Sequence, residues 1–416
     1  MPRVIKYLLC IVFLPVYCVS FVIPRNRNIW VFGCWHGQKF ADNPKYLFLY
    51  VKRNHSKIRP IWLSHRTEVV QELTRKGYEA YKAFSLKGFL YSMKASCVVI
   101  CTCLEDVNGF AVGKAKITQL CHGTPLKKLG YDSEFNLFLM PNKRKGRIQA
   151  MIAELANKVY PLSTLRYDVL TAASEEAKKK LGSAFRESKN RLQITGYPRN
   201  DALFDTDWLA HHRCDYIDNV KKQVMPEYVI TYLPTHRQFG KKRVDLFAKY
   251  GFEVSEAQQM LESLNAVFIV KAHYLQEKLG PSIHNEPSRR IYTLSDEELP
   301  DIYPLLKETD ILITDYSSVY FDYLLLNRPI IFAPFDIDEY VKEEGLYYNY
   351  NEVTPGPKAK DWSEVFKLIP EIIQNDHWKQ ERETVCNRFN KFRDNKNSER
   401  VFQVIKEVIG VNAQKS

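Results

Sequence analysis

Short apolar runs rich in β-branched residues alternate along the chain with longer stretches in which apolar positions recur every three or four residues. NIWVFG from Asn28, RPIWLS from Arg59, ASCVVICT from Ala95 and KITQLC from Lys116 are continuous and bounded by polar residues, so they predict buried strands. PKYLFLYVKRN from Pro44, TEVVQELTRKG from Thr67 and LKGFLYSMKA from Leu86 have the helical period and lie among them. After a polar stretch from Asp205 to Met225 the pattern resumes. YVITYLP from Tyr228, AVFIVKAH from Ala266, DILITD from Asp310 and PIIFAP from Pro329 predict strands, with helices such as SEAQQMLESLN from Ser255 and SSVYFDYLLLN from Ser317. Strands followed by helices predict parallel sheets covered on both faces, hence an α/β chain of two domains in tandem. The expected divisions are an apolar segment 1–27, a first domain 28–215, a second domain 226–377, and a charged helical segment 378–411 that braces the first domain.

The first of these segments is unlike the rest. Tyr7 to Ile23 carries no charge, while Arg3 and Lys6 precede it and Arg25 and Arg27 follow. A bilayer span needs about 20 residues, and Pro15 interrupts this one. No small-x-small cleavage site follows, which argues against a signal peptide. An interfacial or shallow membrane anchor fits best, with a true span and a buried first element of the fold as the alternatives.

The 416 residues hold 60 Lys+Arg against 48 Asp+Glu, a formal net charge of +12, with 45% hydrophobic and 13% aromatic residues. That composition supports large cores and excludes a disordered or low-complexity chain. The surplus charge is localised. Residues 1–27 hold four basic and no acidic groups, and Lys143 to Arg191 hold twelve basic and five acidic ones, net +7. With the apolar segment beside it, a basic helical region 143–191 is read as a surface for anionic lipid, a solvated helical face being the alternative. No nucleic-acid-binding signature accompanies the charge. Nine cysteines without framework spacing read as reduced thiols of the cytosol. Cys97, Cys101 and Cys103 fall on one face of a predicted strand and are expected to be buried small hydrophobes rather than metal ligands.

In open α/β sheets ligands bind beyond the C-terminal ends of the strands, and four such places carry unusual chemistry. After KITQLC comes His122-Gly123-Thr124-Pro125-Leu126-Lys127-Lys128, an acid/base candidate followed by a glycine and a lysine pair. After YVITYL comes Pro234-Thr235-His236-Arg237, whose guanidinium suits phosphate. After AVFIV come Lys271 and His273, which strand alternation puts on one side. After DILIT come Asp315, Tyr316, Ser317, Ser318 and, four residues on, Asp322. There a serine is expected to open a helix whose N–H groups and dipole favour a diphosphate. No G-x-G-x-x-G, Walker loop, H-E-x-x-H, G-x-S-x-G or D-x-D clamp appears. No metal and no cofactor is therefore expected.

These motifs taken together, HGTPLKKLG, PTHR, KAH and TDYSSVYFDYLLLNRPIIFAPFD-x-x-x-Y, resemble the CDP-glycerol glycerophosphotransferase family. That family comprises teichoic acid primases and polymerases and their capsule-synthesis relatives, and NIWVFGCWHGQKFADNPKYLFLYV is similar to its opening. The resemblance covers about Asn28 to Tyr350. It implies a GT-B-like fold of two Rossmann-like parallel-sheet domains facing a central cleft, and peripheral attachment at the cytoplasmic face of the cell membrane. The implied reaction transfers glycerol phosphate from CDP-glycerol, or ribitol phosphate from CDP-ribitol, to a lipid-linked glycan or polyol-phosphate acceptor, releasing CMP. By the same resemblance His122 is the base for the acceptor hydroxyl and His273 lies at the diphosphate. Gly123, Arg237, Lys271, Asp315, Ser317, Ser318 and Asp322 form the donor site. Asp42 and Asn43 fall in a family D-N-x-K pattern and, with Lys127 and Lys128, are possible acceptor or motif residues. His236 departs from the family, where Trp or Phe is common in P-T-x-R.

The expected chemistry is in-line attack on the glycerol-bearing phosphorus, since an imidazole with its ordinary pKa of about 6.5 is largely neutral near pH 7 and can take the proton. A GT-B glycosyltransferase using a sugar nucleotide is the alternative, and a non-catalytic membrane-surface scaffold a third reading. The acceptor, the number of units added and the oligomeric state are not legible in the sequence.

Overall fold

A computed structural model describes residues 3–133, 167–187, 190–204, 215–235, 245–271 and 290–410. The chain forms two compact units. The first comprises Met1–His122, Leu129–Asp201 and Asp394–Ser416, and the second Gly123–Lys128 and Ala202–Arg393.

The first unit is a seven-stranded parallel sheet of β1 (Asn26–Phe32), β2 (Arg59–Ser64), β3 (Ala80–Lys82), β4 (Ala95–Ile100), β5 (Lys116–Gln119), β6 (Val169–Ala172) and β7 (Leu192–Ile194), in the order β3-β2-β1-β4-β5-β6-β7. Helices α2 (Asp42–Asn54), α3 (Thr67–Arg75) and α4 (Leu86–Lys94) connect its strands. The second unit is a five-stranded parallel sheet of β8 (Tyr228–Leu233), β9 (Ala266–Lys271), β10 (Ile291–Leu294), β11 (Ile311–Thr314) and β12 (Ile330–Phe332), in the order β10-β9-β8-β11-β12. In each sheet the winding reverses beside the first strand, between β1 and β4 and between β8 and β11. Loops leaving such strands diverge and open a crevice at their C-terminal ends.

All eight strands expected from the apolar runs are present. Among the described residues four more, β3, β6, β7 and β10, have three or four residues each and lie outside the continuous apolar runs. β6 corrects one expectation. The supposed basic helical region contains a strand whose four residues are all buried between β5 and β7. Only Glu175–Phe185 is helical among its described residues, and residues 143–166 and 188–189 of it lie outside them. The C-terminal segment is also divided. The helix Lys379–Phe389 belongs to the second unit, where fully buried Arg382 pairs with Asp376 and donates to the Asn327 carbonyl. The helix Asn397–Val408 belongs to the first unit. There Phe402 stacks on His55 at 3.6 Å and meets Trp30 at 5.3 Å. The Asp201 carboxylate accepts the N–H groups of Asn397 and Ser398, each at 2.8 Å, and so caps that helix from a distance.

The N-terminal segment forms helix α1 (Arg3–Ser20), Pro15 included. Phe13 packs on Phe84, Phe89 and Phe110 at 5.9, 5.8 and 4.9 Å. Arg25 ties the end of the segment down by donating to the carbonyls of Ser20 and Ser92, each at 2.7 Å. Among the described residues no helix is long and apolar enough to cross a membrane.

Candidate active site

Two buried carboxylates organise the C-terminal edge of the first sheet. β1 and β4 are in register at Phe32 and Val99, and the loops leaving them meet at Asp106. This carboxylate accepts the N–H groups of His36 at 2.7 Å, Cys101 at 2.9 Å and Thr102 at 2.8 Å, together with the Thr102 hydroxyl. Burial pushes the Asp106 pKa up, and these donors pull against it. Gly33 is needed here, because a Cβ on it would stand 2.1 Å from the Asp106 carbonyl oxygen. Trp35 and His36 follow with φ of 48° and 53°, a left-handed conformation that costs about 1–2 kcal/mol per residue with a side chain. The His36 Nδ1 lies 3.6 Å from the Cys103 sulfur and 3.7 Å from Glu105 Oε2. The sulfur first, and the carboxylate after it, push the His36 pKa up to about 10.

Asp42, the second carboxylate, opens α2 with φ 60°. Its Oδ1 accepts from Asn43 N–H at 2.7 Å and from Arg199 Nη1 at 2.8 Å, and its Oδ2 from Trp35 Nε1 at 3.1 Å. Asp42 and Arg199 form a buried ion pair, their side chains 5% and 6% exposed. Asn43, completely buried, donates to the Cys121 carbonyl at 2.8 Å and accepts from Arg199 N–H at 3.1 Å. The D-N pattern thus ties together the loops after β1, β5 and β7. Cys121 is held at φ 54°, and His122 follows it with an exposed side chain. The His122 Nδ1 stands 3.5 Å from the Cys101 carbonyl, and its ring lies 5.8 Å from that of Trp35. When Nδ1–H is donated to a carbonyl, the imidazole lone pair is on Nε2.

The residues after His122 fold with the second unit. Gly123 has φ 128° and Thr124 is buried. The Leu126 carbonyl accepts from Tyr347 N–H at 3.0 Å, and Lys128 N–H donates to Gly345 at 3.1 Å. The Lys127 ammonium lies 5.8 Å from the centre of the Tyr340 ring.

At the edge of the second sheet, β8 and β11 are in register at Leu233 and Thr314. Asp315 is fully buried and its carboxylate accepts from Thr235 N–H at 2.9 and 3.1 Å and from Tyr316 N–H at 2.6 Å. Tyr350 donates to the Asp315 carbonyl at 2.7 Å. Tyr316 donates to Asp336 at 3.0 Å and stacks on Tyr340 at 3.8 Å. Asp322, also fully buried, accepts from the Tyr303 hydroxyl at 2.5 Å. Lys271 is buried at the end of β9 and pairs with Asp296. From Ile311 to Leu325 every residue is buried except Ser317 and Ser318.

The helix beyond these serines differs from the sequence expectation. Val319–Tyr323 is five residues long and passes into a 3-10 turn that ends at left-handed Asn327. Ser318 stands at its N-cap without a side-chain hydrogen bond, and Ser317 Oγ is 3.5 Å from Val319 N–H. One turn carries little of a helix dipole, so the hydroxyls and local N–H groups are the available donors.

The structure therefore gathers Asp42, Asn43 and His122 in the first unit, and Gly123, Lys127, Lys128, Lys271, Asp315, Ser317, Ser318 and Asp322 in the second. Arg237 and His273 lie outside the described residues. Sequence reasoning missed Asp106, Arg199 and Asp296, and named Tyr316 without giving it a role. It quoted Asp336 and Tyr340 within a motif without giving them a place, although their i, i+4 spacing pointed to one face. Cys97 and Cys101 are buried as expected, but β4 ends at Ile100 and leaves Cys103 partly exposed beyond it.

Residues 16–407 match the family described as CDP-glycerol:poly(glycerophosphate) glycerophosphotransferase. A teichoic acid glycerol-phosphate transferase of Staphylococcus aureus is 29% identical over 398 residues, 91% of this chain and 93% of that protein. A teichoic acid poly(glycerol phosphate) polymerase of Bacillus spizizenii is 28% identical, over 95% of both chains. The solved structure of a variant of the wall teichoic acid polymerase TagF soaked with CDPG superposes with a TM-score of 0.73 at 23% identity, covering 99% of this chain and 98% of that one. With a match over nearly its whole length, the chain belongs to the CDP-glycerol:poly(glycerophosphate) glycerophosphotransferase family.

Proposed function

We propose that the chain transfers glycerol phosphate from CDP-glycerol to a hydroxyl of a membrane-linked glycan or polyol-phosphate acceptor, releasing CMP, in teichoic acid or capsular polymer synthesis. The observation that carries the reading is His122. It is an exposed imidazole on a left-handed backbone step at the end of β5, fixed from beneath by Asn43 and Asp42. Family membership supplies the substrate class. In this GT-B-like reading the first unit supplies the residue that activates the acceptor and the second unit the donor site.

The acceptor oxygen attacks the glycerol-bearing phosphorus. The new O–P bond forms as the bond from that phosphorus to the bridging oxygen breaks, the acceptor proton passes to His122 Nε2, and CMP departs with the bridging oxygen. Charge on the phosphoryl oxygens meets Ser317 and Ser318 and, on the family resemblance, Arg237 and His273, while Lys271, buried against Asp296, supports the site as a positioning residue. Asp315 and Asp322 act as positioning residues, because both carboxylates are buried on Thr235, Tyr316 and Tyr303.

The same reading holds the protein peripherally at the cytoplasmic face of the membrane. In support, Val12, Val19 and Val22 near α1 and Phe84, Leu86 and Leu90 near α4 are exposed, Val22 to 76% and Leu86 to 91%. Neither residues 1–41 nor α4 contain an acidic residue, and Lys87 and Lys94 flank the apolar positions of α4. Such a surface suits insertion among anionic headgroups.

The test is nucleotide release from CDP-glycerol, CDP-ribitol and UDP-sugars with a lipid-linked acceptor, and mass spectrometry of the product. CMP with an acceptor heavier by glycerol phosphate is expected. UDP release with glycosylated acceptor would favour the sugar-nucleotide reading, and no turnover of any donor would favour a scaffold.

A further inference from the structure

His36, Cys103 and Glu105 converge from the loops after β1 and β4 of the first unit, yet the transfer reaction does not use them. Their donor atoms, an imidazole nitrogen, a thiol sulfur and a carboxylate oxygen, all lie within 4.8 Å of one another. Zinc bonds of about 2.3 Å to sulfur and about 2.0–2.1 Å to nitrogen or oxygen, at tetrahedral angles, place nitrogen about 3.6 Å from sulfur and about 3.3 Å from oxygen. The His36 Nδ1 stands 3.6 Å from Cys103 Sγ and 3.7 Å from Glu105 Oε2. Two edges of one face of a zinc tetrahedron are thus nearly in place, and the third, from sulfur to oxygen, is no longer than 4.8 Å and closes as a metal binds.

We propose that His36, Cys103 and Glu105 form a binding site for a zinc-type divalent cation, with the fourth coordination position open to an oxygen ligand. The donor set is chemically selective. A thiolate with an imidazole favours zinc over magnesium or calcium, which take oxygen. The cluster is open to small ligands, since the His36 and Glu105 side chains are 51% and 34% exposed. Three protein ligands and an accessible position are the arrangement of a reactive zinc site rather than of a closed structural one.

The supporting shell is present as well. Asp106, fully buried, accepts from His36 N–H at 2.7 Å, and its own N–H donates to the Cys103 carbonyl at 2.9 Å. One residue therefore fixes the backbones of two ligands that belong to different loops. The hydrogen bond from Gln119 Nε2 to the Thr102 carbonyl, at 3.0 Å, holds the second loop against β5. Backing of this kind orients ligands before the metal arrives. The sequence expectation of no metal rested on the absence of a metal motif, and Cys103 was set aside as a ligand by placing it inside a strand, whereas β4 ends three residues before it.

The test uses the full chain, stripped with chelator and then titrated with Zn²⁺ or Co²⁺ alone. One metal ion per chain is expected, with Co²⁺ giving thiolate-to-metal charge-transfer absorption. Cys103→Ser, His36→Ala and Glu105→Gln each remove or weaken a ligand and should lower affinity by more than the roughly 10- to 100-fold that changes in the supporting shell of a metal site cost. Cys18→Ser, which alters an exposed thiol on α1, should change nothing. Circular dichroism reports whether each variant is folded. If the wild-type chain gives no charge-transfer band, or if folded Cys103→Ser and His36→Ala bind metal as the wild type does, the site does not exist. A wild type without the band overturns the proposal even if the variants misfold.

Discussion

Asn43 offers the sharpest test of how the first sheet presents His122. Its amide donates to the Cys121 carbonyl at 2.8 Å and accepts from Arg199 N–H at 3.1 Å, with no exposure to solvent. Asn43→Ala leaves a buried carbonyl and a buried N–H without their partner, at about 1–3 kcal/mol each. The loss of stability should therefore be about 2–6 kcal/mol, a large part of the roughly 5–15 kcal/mol that holds a domain together. Cys121 also loses the contact that holds its φ of 54°, so His122 shifts. A displacement of about 1 Å near reacting groups lowers rate by about 100-fold. Asn43→Asp separates the two effects. It keeps an acceptor for Arg199 and sets a carboxylate against the Cys121 carbonyl, so kcat should fall further than stability does. Denaturant unfolding and CMP release from CDP-glycerol would be measured on both variants. Stability lost with kcat unchanged would refute the claim that the D-N clamp positions His122.

Three further outcomes follow from other parts of the structure. Asp315→Ala deprives Thr235 and Tyr316 of their acceptor and should raise the KM for CDP-glycerol at least tenfold, at a cost of about 2–6 kcal/mol in stability; an unchanged KM would remove Asp315 from the donor site. Burial pushes the Asp201 pKa up to about 6 from 3.8. The folded state therefore keeps a proton that the unfolded chain releases, and stability is fullest below about pH 4 and falls as pH rises through 6. The wild type should lose about 3 kcal/mol relative to Asp201→Asn across that window, whereas a constant difference in urea unfolding would contradict it. Leu86→Glu with Leu90→Glu should abolish sedimentation with anionic vesicles at unchanged circular dichroism, and full retention would place the membrane surface elsewhere.

The sequence carried the large strands because β1, β2, β4, β8 and β9 are six or seven residues long and apolar on both faces. It carried the chemistry of His122 and the two serines because they follow the predicted strands β5 and β11, although these are only four residues each. What it hid depends on contacts between residues far apart. Asp315 looked like a donor-site residue although its charge is wrong for a phosphate. Only the structure shows the carboxylate turned onto Thr235 N–H, 80 positions away. Arg199 reaches Asp42 across 157 positions, and no local pattern marks such a pair. Cys103 was misjudged because even spacing continued past Ile100, where the strand stops. The short helix after Ser318 was overestimated because buried Leu324 and Leu325 continue the apolar pattern through a 3-10 turn.

The most direct measurement is single-turnover release of CMP from CDP-glycerol by His122→Ala, with a lipid-linked acceptor present and circular dichroism unchanged. The imidazole is exposed and supports no core, so the variant should fold as the wild type does. Loss of its proton-accepting role should lower the rate by about 100- to 10,000-fold while CDP-glycerol still binds. Turnover within a few-fold of the wild type would contradict the assignment of His122 as the base.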